Sequence, residues 1–405
     1  MSSLNKAFIF PILPAAECET IRTFGFGSCH MAQHSSAQPG FNPSLHGLRG
    51  IAALAVLLFH WGSNIGFFPE ARRSWVVSEW DFGYALDYGW LGVPLFFVLS
   101  GYLLTAQLQS RELTRLVVGR FWLRRFLRIY PAYWLQLATL LALGAALPFM
   151  PQIASVSDAL RHVVLWINLP PTMTQPLNAV WWTLPLELGF YLLLPGLVWL
   201  ARRITWQAVV LTALGVTLFW RYQVMDHFAG QNYAAHLPVL DAMPGTLFTF
   251  CAGFGLAYLL VERQPLSPAR RALLLVIAST AIVALAQWLQ ANLTTYWTGH
   301  WMLGVFNPLM AAVIAALLLA LLWPLAGFRW LASRPLTWLG DTSYGIYLWH
   351  YPVLMLLDRS LLAHWNTPAL ALAALPVALL ITAVLAGLSH RYLEAPLMQL
   401  GRRGS

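Results

Sequence analysis

An arginine and a histidine in one apolar stretch are the first residues of this sequence that could do chemistry. Arg49 precedes the uncharged run 51–59, and His60 follows that run. Eleven residues close about three helical turns, so both side chains share a helix face, about 16 Å apart along the axis. With Arg49 at a membrane surface, His60 would lie near the midplane, where an ionisable side chain usually marks a functional path. Such an imidazole could move a proton or accept an acyl group, or could equally form a structural hydrogen bond.

A carboxylate lies in a second apolar stretch, residues 181–191. Thr183 is placed to cap a helix there, and Glu187 and Tyr191 follow on one face at i, i+4 spacing, with Trp182 beside them. A carboxylate inside a membrane helix is normally paired or functional, and a functional role is the favoured interpretation.

A third stretch presents a polar helix face. Ser343, Tyr347 and His350 recur at i, i+4, i+7 spacing. His350 is thus a second histidine at membrane depth. A role in chemistry and a structural hydrogen bond between helices explain it equally well.

Basic residues cluster between two of the apolar stretches. Arg120, Arg124 and Arg128 repeat at helical spacing, and Arg125 and Arg128 form an i, i+3 pair. Guanidinium pairs grip phosphate in bidentate fashion, which favours a phosphate-rich ligand. Anchoring of the helix to anionic lipid explains the same spacing equally well.

The composition predicts what kind of element must position these residues. Hydrophobic residues make up 59% of the 405 and charged residues only 10%, against about 25% charged residues in soluble proteins. We therefore predict an all-α, polytopic membrane helix bundle with the lipid bilayer around it. The net charge of +9 fits a membrane protein with basic cytoplasmic loops, so we predict no nucleic-acid partner. Three cysteines without a C-x-x-C pair argue against a disulfide framework, and we predict no metal site.

About ten transmembrane helices are expected from the apolar spans. The spans are 47–65, 89–108, 129–148, 181–200, 204–221, 241–261, 271–290, 302–325, 342–358 and 368–390. Arginine-rich connections fall on the same side as the N-terminus, which predicts cytoplasmic termini in the inner (plasma) membrane. Ser100-Gly101, in the second span, favours close approach of two helices.

The chain divides into three parts by pattern. Residues 1–40 lack periodicity and are predicted to be a disordered or non-native N-terminal extension, with Met31 as an alternative start. Residues 41–397 form the predicted transmembrane domain, and residues 398–405 form a short cytoplasmic tail.

Taken together, these residues resemble the acyltransferase 3 family of integral-membrane enzymes, over residues 45–397. Five family patterns occur in order. They are Arg-x10-His at 49–60, Phe-Phe-x-x-Ser-Gly at 96–101, Arg-x-x-Arg at 125–128, Trp-Ser-Leu-x-x-Glu-x-x-Phe-Tyr at 182–191 with Thr183 replacing Ser, and Ser-Tyr-x-x-Tyr-Leu-x-His-x-Pro at 343–352.

The resemblance implies transfer of an acyl group from acyl-CoA, with acetyl-CoA the expected co-substrate and no bound cofactor. The acceptor would be a hydroxyl of a cell-surface or exported polysaccharide, glycolipid or secondary metabolite. His60, Glu187 and Arg49 would be catalytic, with Glu187 reaching from the outer side to orient the imidazole or the incoming hydroxyl. Arg125 and Arg128 would hold the donor phosphates. The expected pocket residues are Trp182, Tyr191, Ser343, Tyr347 and His350.

Some family members carry an added extracellular esterase-like domain, so a separate extracytoplasmic partner protein is expected here for any second acyl-handling step. The alternative to an enzyme is a polytopic transporter with a His/Glu proton or substrate path. The lack of an internal repeat and the Arg-x-x-Arg pattern weigh against it. An inactive scaffold of an export complex is a further alternative, against which Arg49, His60 and Glu187 argue.

Overall fold

The computed structural model describes residues 42–63, 76–77, 80–81, 86–262, 265–323, 325, 327–362 and 368–403. The predicted N-terminal extension, residues 1–40, and the alternative start at Met31 lie outside the described residues. So do the last two residues of the predicted cytoplasmic tail.

Helices account for nearly all of the described residues. The α-helices are α1 Pro43–Ser63, α2 Gly92–Leu108, α3 Arg115–Ala146, α4 Val156–Val163, α5 Thr183–Arg203, α6 Trp206–His227, α7 Leu237–Leu240, α8 Met243–Glu262, α9 Pro268–Ala291, α10 Leu293–Tyr296, α11 Met302–Leu321, α12 Arg334–Asp341, α13 Ser343–Leu356, α14 Pro368–Ser389 and α15 Ala395–Arg403. The 3-10 helices are Gly89–Leu91, Ala179–Trp182, Tyr233–His236 and Arg329–Ala332, and the π-helices are Leu357–Leu362 and His390–Glu394. Two short strands, β1 Val76–Val77 and β2 Trp80–Asp81, pair antiparallel with Val76 opposite Asp81.

Nine helices in the described part of the chain are long and apolar enough to cross a membrane, which confirms the polytopic helical bundle. The predicted span 342–358 is not one of them. It is α13, an α-helix of 14 residues that continues as the π-helix to Leu362. Its side chains are mostly buried among other helices. Hydropathy cannot distinguish such a central helix from a membrane span, because both are apolar on every face.

The long helices run in alternating directions between two ends of the bundle. Arg202, at the end of α5, donates hydrogen bonds to the carbonyls of Leu108, Gln109 and Arg111, where α2 ends and α3 is about to begin. Asn42, at the start of α1, donates to the Leu322 carbonyl at the end of α11, at 2.7 Å. We call this arginine-rich end the basic end and the opposite one the far end. Helix α1 therefore runs from the basic end toward the far end.

A proline inside α13 frees a carbonyl group that side chains from two other parts of the chain then bind. Pro352 in α13 has no N–H to give to the carbonyl of Leu348 four residues earlier. That carbonyl instead accepts hydrogen bonds from Gln136 of α3, at 2.5 Å, and from Asn178, at 3.0 Å. Buried polar groups need such partners, so the proline determines where α13 is held against α3.

A close helix contact lies at the predicted Ser100-Gly101 seam. A Cβ added to Gly101 would lie 2.0 Å from the Phe250 carbonyl of α8, and one added to Gly253 of α8 would lie 1.9 Å from the Val98 carbonyl. Only glycine permits this approach, which confirms the predicted packing role. The neighbouring Ser100 faces elsewhere, toward Glu187.

Candidate active site

Two histidines from distant parts of the chain meet inside the bundle. His60, one turn before the end of α1, places its Nδ1 3.1 Å from Nε2 of His350 in α13. The same Nδ1 lies 3.0 Å from the Val56 carbonyl, and His350 Nδ1 lies 3.0 Å from the Ile346 carbonyl. The residue spacing predicted that each histidine lies at membrane depth, but it did not predict that the two rings touch.

The hydrogen bonds assign the tautomers of the pair. A backbone carbonyl only accepts, so His350 carries its proton on Nδ1 and its Nε2 presents a lone pair. His60 must then donate from Nδ1 to Val56 and to His350 Nε2. In the neutral imidazole of His60, Nε2 is therefore unprotonated. No hydrogen bond to this atom occurs among the described residues, and His60 lines a large cavity. The lone pair is available to whatever occupies that space.

The ring of His60 is held by its surroundings. The Tyr351 ring meets it edge-on at 5.3 Å between centroids, and the His350 ring lies at 5.1 Å. His350 is fully buried, and the Leu348 carbonyl two residues before it is bound by α3. These contacts restrict how far either imidazole can turn, which is what a positioned proton acceptor requires.

The large cavity has a volume of about 680 Å³ and reaches from His60 toward the far-end segments of α6, α8 and α11. Its walls are mostly apolar and aromatic, with a few polar groups, as in typical ligand pockets. The predicted pocket residues Trp182 and Tyr347 belong to its lining.

A small cavity of about 50 Å³ lies beside the large one, on the side of the basic end. Arg49, Arg128, Glu187 and Ser343 line it. The two cavities share walls at Val93, Phe97 and Tyr347, so they adjoin each other. The Ser343 hydroxyl has no hydrogen-bond partner among the described residues and is buried at this cavity.

Glu187 lies with the arginines and not with the histidines. Its carboxylate accepts a short hydrogen bond from the Tyr191 hydroxyl and one of 3.4 Å from Ser100 Oγ. Arg49 and Arg125 interact with it electrostatically, and Arg128 lines the same small cavity. No hydrogen bond joins it to His60 in the described structure, and the side chain within hydrogen-bond distance of that imidazole is His350. The reason is tertiary: α13, not α5, packs its polar face against the end of α1.

The two arginines of the Arg-x-x-Arg pattern have different neighbours. Arg128 lines the small cavity, whereas the Arg125 guanidinium packs against the rings of Phe121 and Tyr191, at 5.7 and 5.9 Å from their centroids. The buried Nε atoms of Arg49 and Arg125 have no hydrogen-bond partner in the described residues. Three guanidinium groups thus surround one carboxylate, which leaves an excess of positive charge and unused donors.

Thr183 does not cap α5 as predicted. A 3-10 turn, Ala179–Trp182, precedes the helix, and Asn178 caps that turn by accepting from the Val180 N–H. The Thr183 hydroxyl lies 2.9 Å from the Tyr347 hydroxyl, and both hydroxyls reach the Val180 carbonyl. The residue therefore joins α5 to α13 next to the cavities.

Sequence reasoning missed a second polar cluster in the large cavity. Arg221 of α6 pairs with Asp241 at 2.6 Å, and Asn307 of α11 donates to the same carboxylate oxygen at 3.2 Å. One predicted span ends at residue 221 and the next begins at residue 241, so neither charge was singled out within a span. The available signal was that each lies next to an uninterrupted apolar run.

These features define a class of protein, a polytopic helical membrane protein with a histidine pair at the wall of a large internal cavity and a cationic cluster beside it. The acyltransferase 3 family model, described as an acyltransferase domain, matches residues 42–387. The chain therefore belongs to this family, and the resemblance carried by its motifs is confirmed.

The chain is similar to proteins named as O-acetyltransferases. Peptidoglycan O-acetyltransferase OatA of Listeria monocytogenes is 28% identical over 390 residues, covering 89% of this chain and 56% of that protein. O-acetyltransferase OatA of Staphylococcus aureus is 24% identical over 384 residues, covering 90% of this chain and 58% of that protein. The chain spans little more than half the length of these curated relatives. No solved structure matches it.

Proposed function

We propose that this protein is a membrane O-acetyltransferase that moves an acetyl group from acetyl-CoA to a hydroxyl of a cell-wall or other exported glycan. Membership of the acyltransferase 3 family and similarity to proteins named as O-acetyltransferases support the reaction class. The observation that carries the proposal is the unprotonated Nε2 of His60, which the hydrogen bond to His350 leaves available at the wall of a cavity large enough for a sugar.

We propose that the phosphate groups of the acyl donor, acetyl-CoA, bind at the arginine cluster. Arg49, Arg125 and Arg128 together outnumber the one carboxylate among them, and two of their buried Nε atoms lack partners. Phosphate groups are the anions that such guanidinium donors bind best. Arg49 precedes His60 by about 16 Å of helix, the order of length of a pantetheine arm. The small cavity between them would have to widen as the arm passes.

The proposed chemistry needs only proton transfer by the histidine pair. His60 Nε2 takes the proton of the acceptor hydroxyl as its oxygen attacks the thioester carbonyl. The carbon–sulfur bond then breaks, and the imidazolium returns the proton to the leaving thiolate of CoA. Throughout, His350 Nε2 accepts from Nδ1–H of His60, and this bond strengthens while His60 is charged. His60 could instead carry the acetyl group itself on Nε2 before the hydroxyl attacks.

The proposed orientation puts the basic end in the cytoplasm and the large cavity toward the outer face of the plasma membrane. Arginines collect on the cytoplasmic side of membrane proteins, and Arg202 and the start of α3 lie at this end. A cytoplasmic donor would then meet an external acceptor at His60.

The test is acetyl transfer by the purified full chain in nanodiscs, with radiolabelled acetyl-CoA and a soluble glycan. We expect His60→Ala to lower transfer by roughly 10²- to 10⁴-fold, the usual contribution of a general base. His227→Ala removes an exposed histidine near the far end and serves as the matched control. Mass spectrometry of quenched wild-type protein distinguishes base from acetyl carrier. Wild-type transfer by a folded His60→Ala protein would refute the proposal.

A further inference from the structure

The Arg221–Asp241–Asn307 cluster lies in the same large cavity as His60, yet the transfer chemistry described above does not use it. All three residues line that cavity. They come from α6, from the segment before α8 and from α11, so three elements converge to build the cluster. A charged pair in an apolar cavity wall is costly to desolvate and is weak evidence of a merely stabilising role.

Every contact of the cluster holds Asp241 in one position. Arg221 is 1% exposed. Its guanidinium donates hydrogen bonds to Asp241 Oδ1 at 2.6 Å, to the Leu303 carbonyl at 3.0 and 3.2 Å, and to the Gly245 carbonyl at 3.4 Å. Asn307 donates to the same Oδ1 at 3.2 Å. Four of the five N–H donors of Arg221 are thus used by acceptors of the protein.

One carboxylate oxygen remains unused. Within the described residues, Oδ2 of Asp241 accepts no hydrogen bond, and the side chain keeps 13% of its surface exposed. Because Asp241 lines the cavity, that surface faces the ligand space. A fixed carboxylate with a free oxygen is an acceptor for hydroxyl or amide N–H donors. The Arg221–Asp241 pair is neutral overall, so it offers an anion no net positive charge.

The surrounding wall matches an uncharged sugar. Trp90, Tyr296 and Trp297 present aromatic rings, and Gln290 presents an amide, in the same cavity. Flat aromatic faces cover the apolar C–H face of a pyranose ring, while carboxylate and amide groups bind its hydroxyls. A lipid chain has no hydrogen-bond donor for the carboxylate, and the negative charge of a phosphate would be unfavourable beside it.

We propose that Asp241, fixed by Arg221 and Asn307, is an acceptor-binding subsite that receives hydroxyl or amide hydrogen bonds from an uncharged hexose or hexosamine ring. The ring binds in the large cavity, with the sugar unit next to it reaching His60. This proposal rests on the proposed function, since the ligand of the subsite is the acceptor of that transfer reaction. Asp241 is a binding residue here, and Arg221 and Asn307 are positioning residues.

The experiment measures binding and turnover separately on the full chain in nanodiscs. The probe is the N-acetylglucosamine tetrasaccharide, with binding followed by calorimetry and by fluorescence of the cavity tryptophans. Acetyl-CoA hydrolysis without glycan measures the donor side. We expect Asp241→Asn to weaken tetrasaccharide binding roughly 10- to 100-fold, the worth of hydrogen bonds to a charged group. Its acetyl-CoA hydrolysis should remain at the wild-type rate.

A second variant distinguishes a loss of glycan binding from a loss of the fold. Asp241→Asn leaves the charge of Arg221 unpaired, whereas the double variant Arg221→Met with Asp241→Leu removes both charges, an exchange that buried pairs often tolerate. The double variant should also lose glycan affinity while keeping donor hydrolysis. Asp158→Asn is the matched control, because Asp158 pairs with Arg161 at 2.9 Å outside the cavity lining. This control should bind the tetrasaccharide like wild type.

The outcomes separate the subsite from the transfer reaction. Wild-type glycan affinity in a folded Asp241 variant, or no tetrasaccharide binding by the wild type, overturns the subsite. Glycan binding that depends on Asp241 in a protein without acetyl-CoA turnover supports the subsite and overturns the proposed reaction. A rise in KM for the glycan with unchanged donor hydrolysis supports both.

Discussion

The His60–His350 hydrogen bond offers the sharpest test of the proposed chemistry. His350→Leu removes the acceptor from His60 Nδ1–H but keeps an apolar side chain of similar bulk in a fully buried position. The Val56 carbonyl, at 3.0 Å, still binds that Nδ1, so His60 keeps its tautomer. What is lost is one hydrogen bond that strengthens as His60 becomes positively charged in the transition state.

The expected loss of rate follows from the free energy of that hydrogen bond. Hydrogen bonds to charged groups contribute about 1.5–3 kcal/mol. At about 1.36 kcal/mol per tenfold in rate, His350→Leu should lower kcat roughly 10- to 150-fold. KM for acetyl-CoA should change little, because the donor is proposed to bind at the arginine cluster.

The assay is a double-mutant cycle on acetyl transfer in nanodiscs, with His60→Ala, His350→Leu and both together. If His350 acts only through His60, the double variant should be no slower than His60→Ala alone. His350→Gln, whose amide oxygen can accept a hydrogen bond, should recover part of the rate. Additive losses would refute the reasoning. A loss from His350→Leu as large as that from His60→Ala would make His350 the base.

Two further predictions concern the arginine cluster and the helix contacts. Replacing both Arg125 and Arg128 with Lys keeps the charge but removes the bidentate guanidinium, so KM for acetyl-CoA should rise roughly tenfold with a smaller change in kcat. Arg120→Lys is the control, because Arg120 lies outside the lining of the small cavity. An unchanged KM in the double variant would leave these arginines as lipid anchors. Gly101→Val adds atoms where even a Cβ would lie 2.0 Å from an α8 carbonyl, so its thermal unfolding midpoint should fall by several degrees. Gly215→Ala, where a Cβ meets nothing within 4 Å, should leave that midpoint unchanged or higher. Equal midpoints for the two glycine variants would contradict the packing derived for α2 and α8.

The membrane helices could be read from the sequence because each long apolar run has one physical solution in lipid. A backbone without water must satisfy its own hydrogen bonds, so such runs form helices. The run at α13 differs from the others, because its α-helix of 14 residues is mostly buried by other helices and continues as a π-helix to Leu362. Arg221 and Asp241 are end residues of two predicted spans, and their pairing at the wall of the large cavity was not predicted.

What the sequence by itself determined is local. The helical period put Arg49 and His60 on one face, placed Tyr191 one turn from Glu187, and aligned Ser343, Tyr347 and His350, because 3.6 residues per turn relate neighbours within one helix. Only the tertiary structure decided which helix faces which. His60 and His350 are 290 residues apart in the chain yet 3.1 Å apart in space. Such a contact depends on the packing of side chains against other helices, and periodicity within one helix carries no information about that packing.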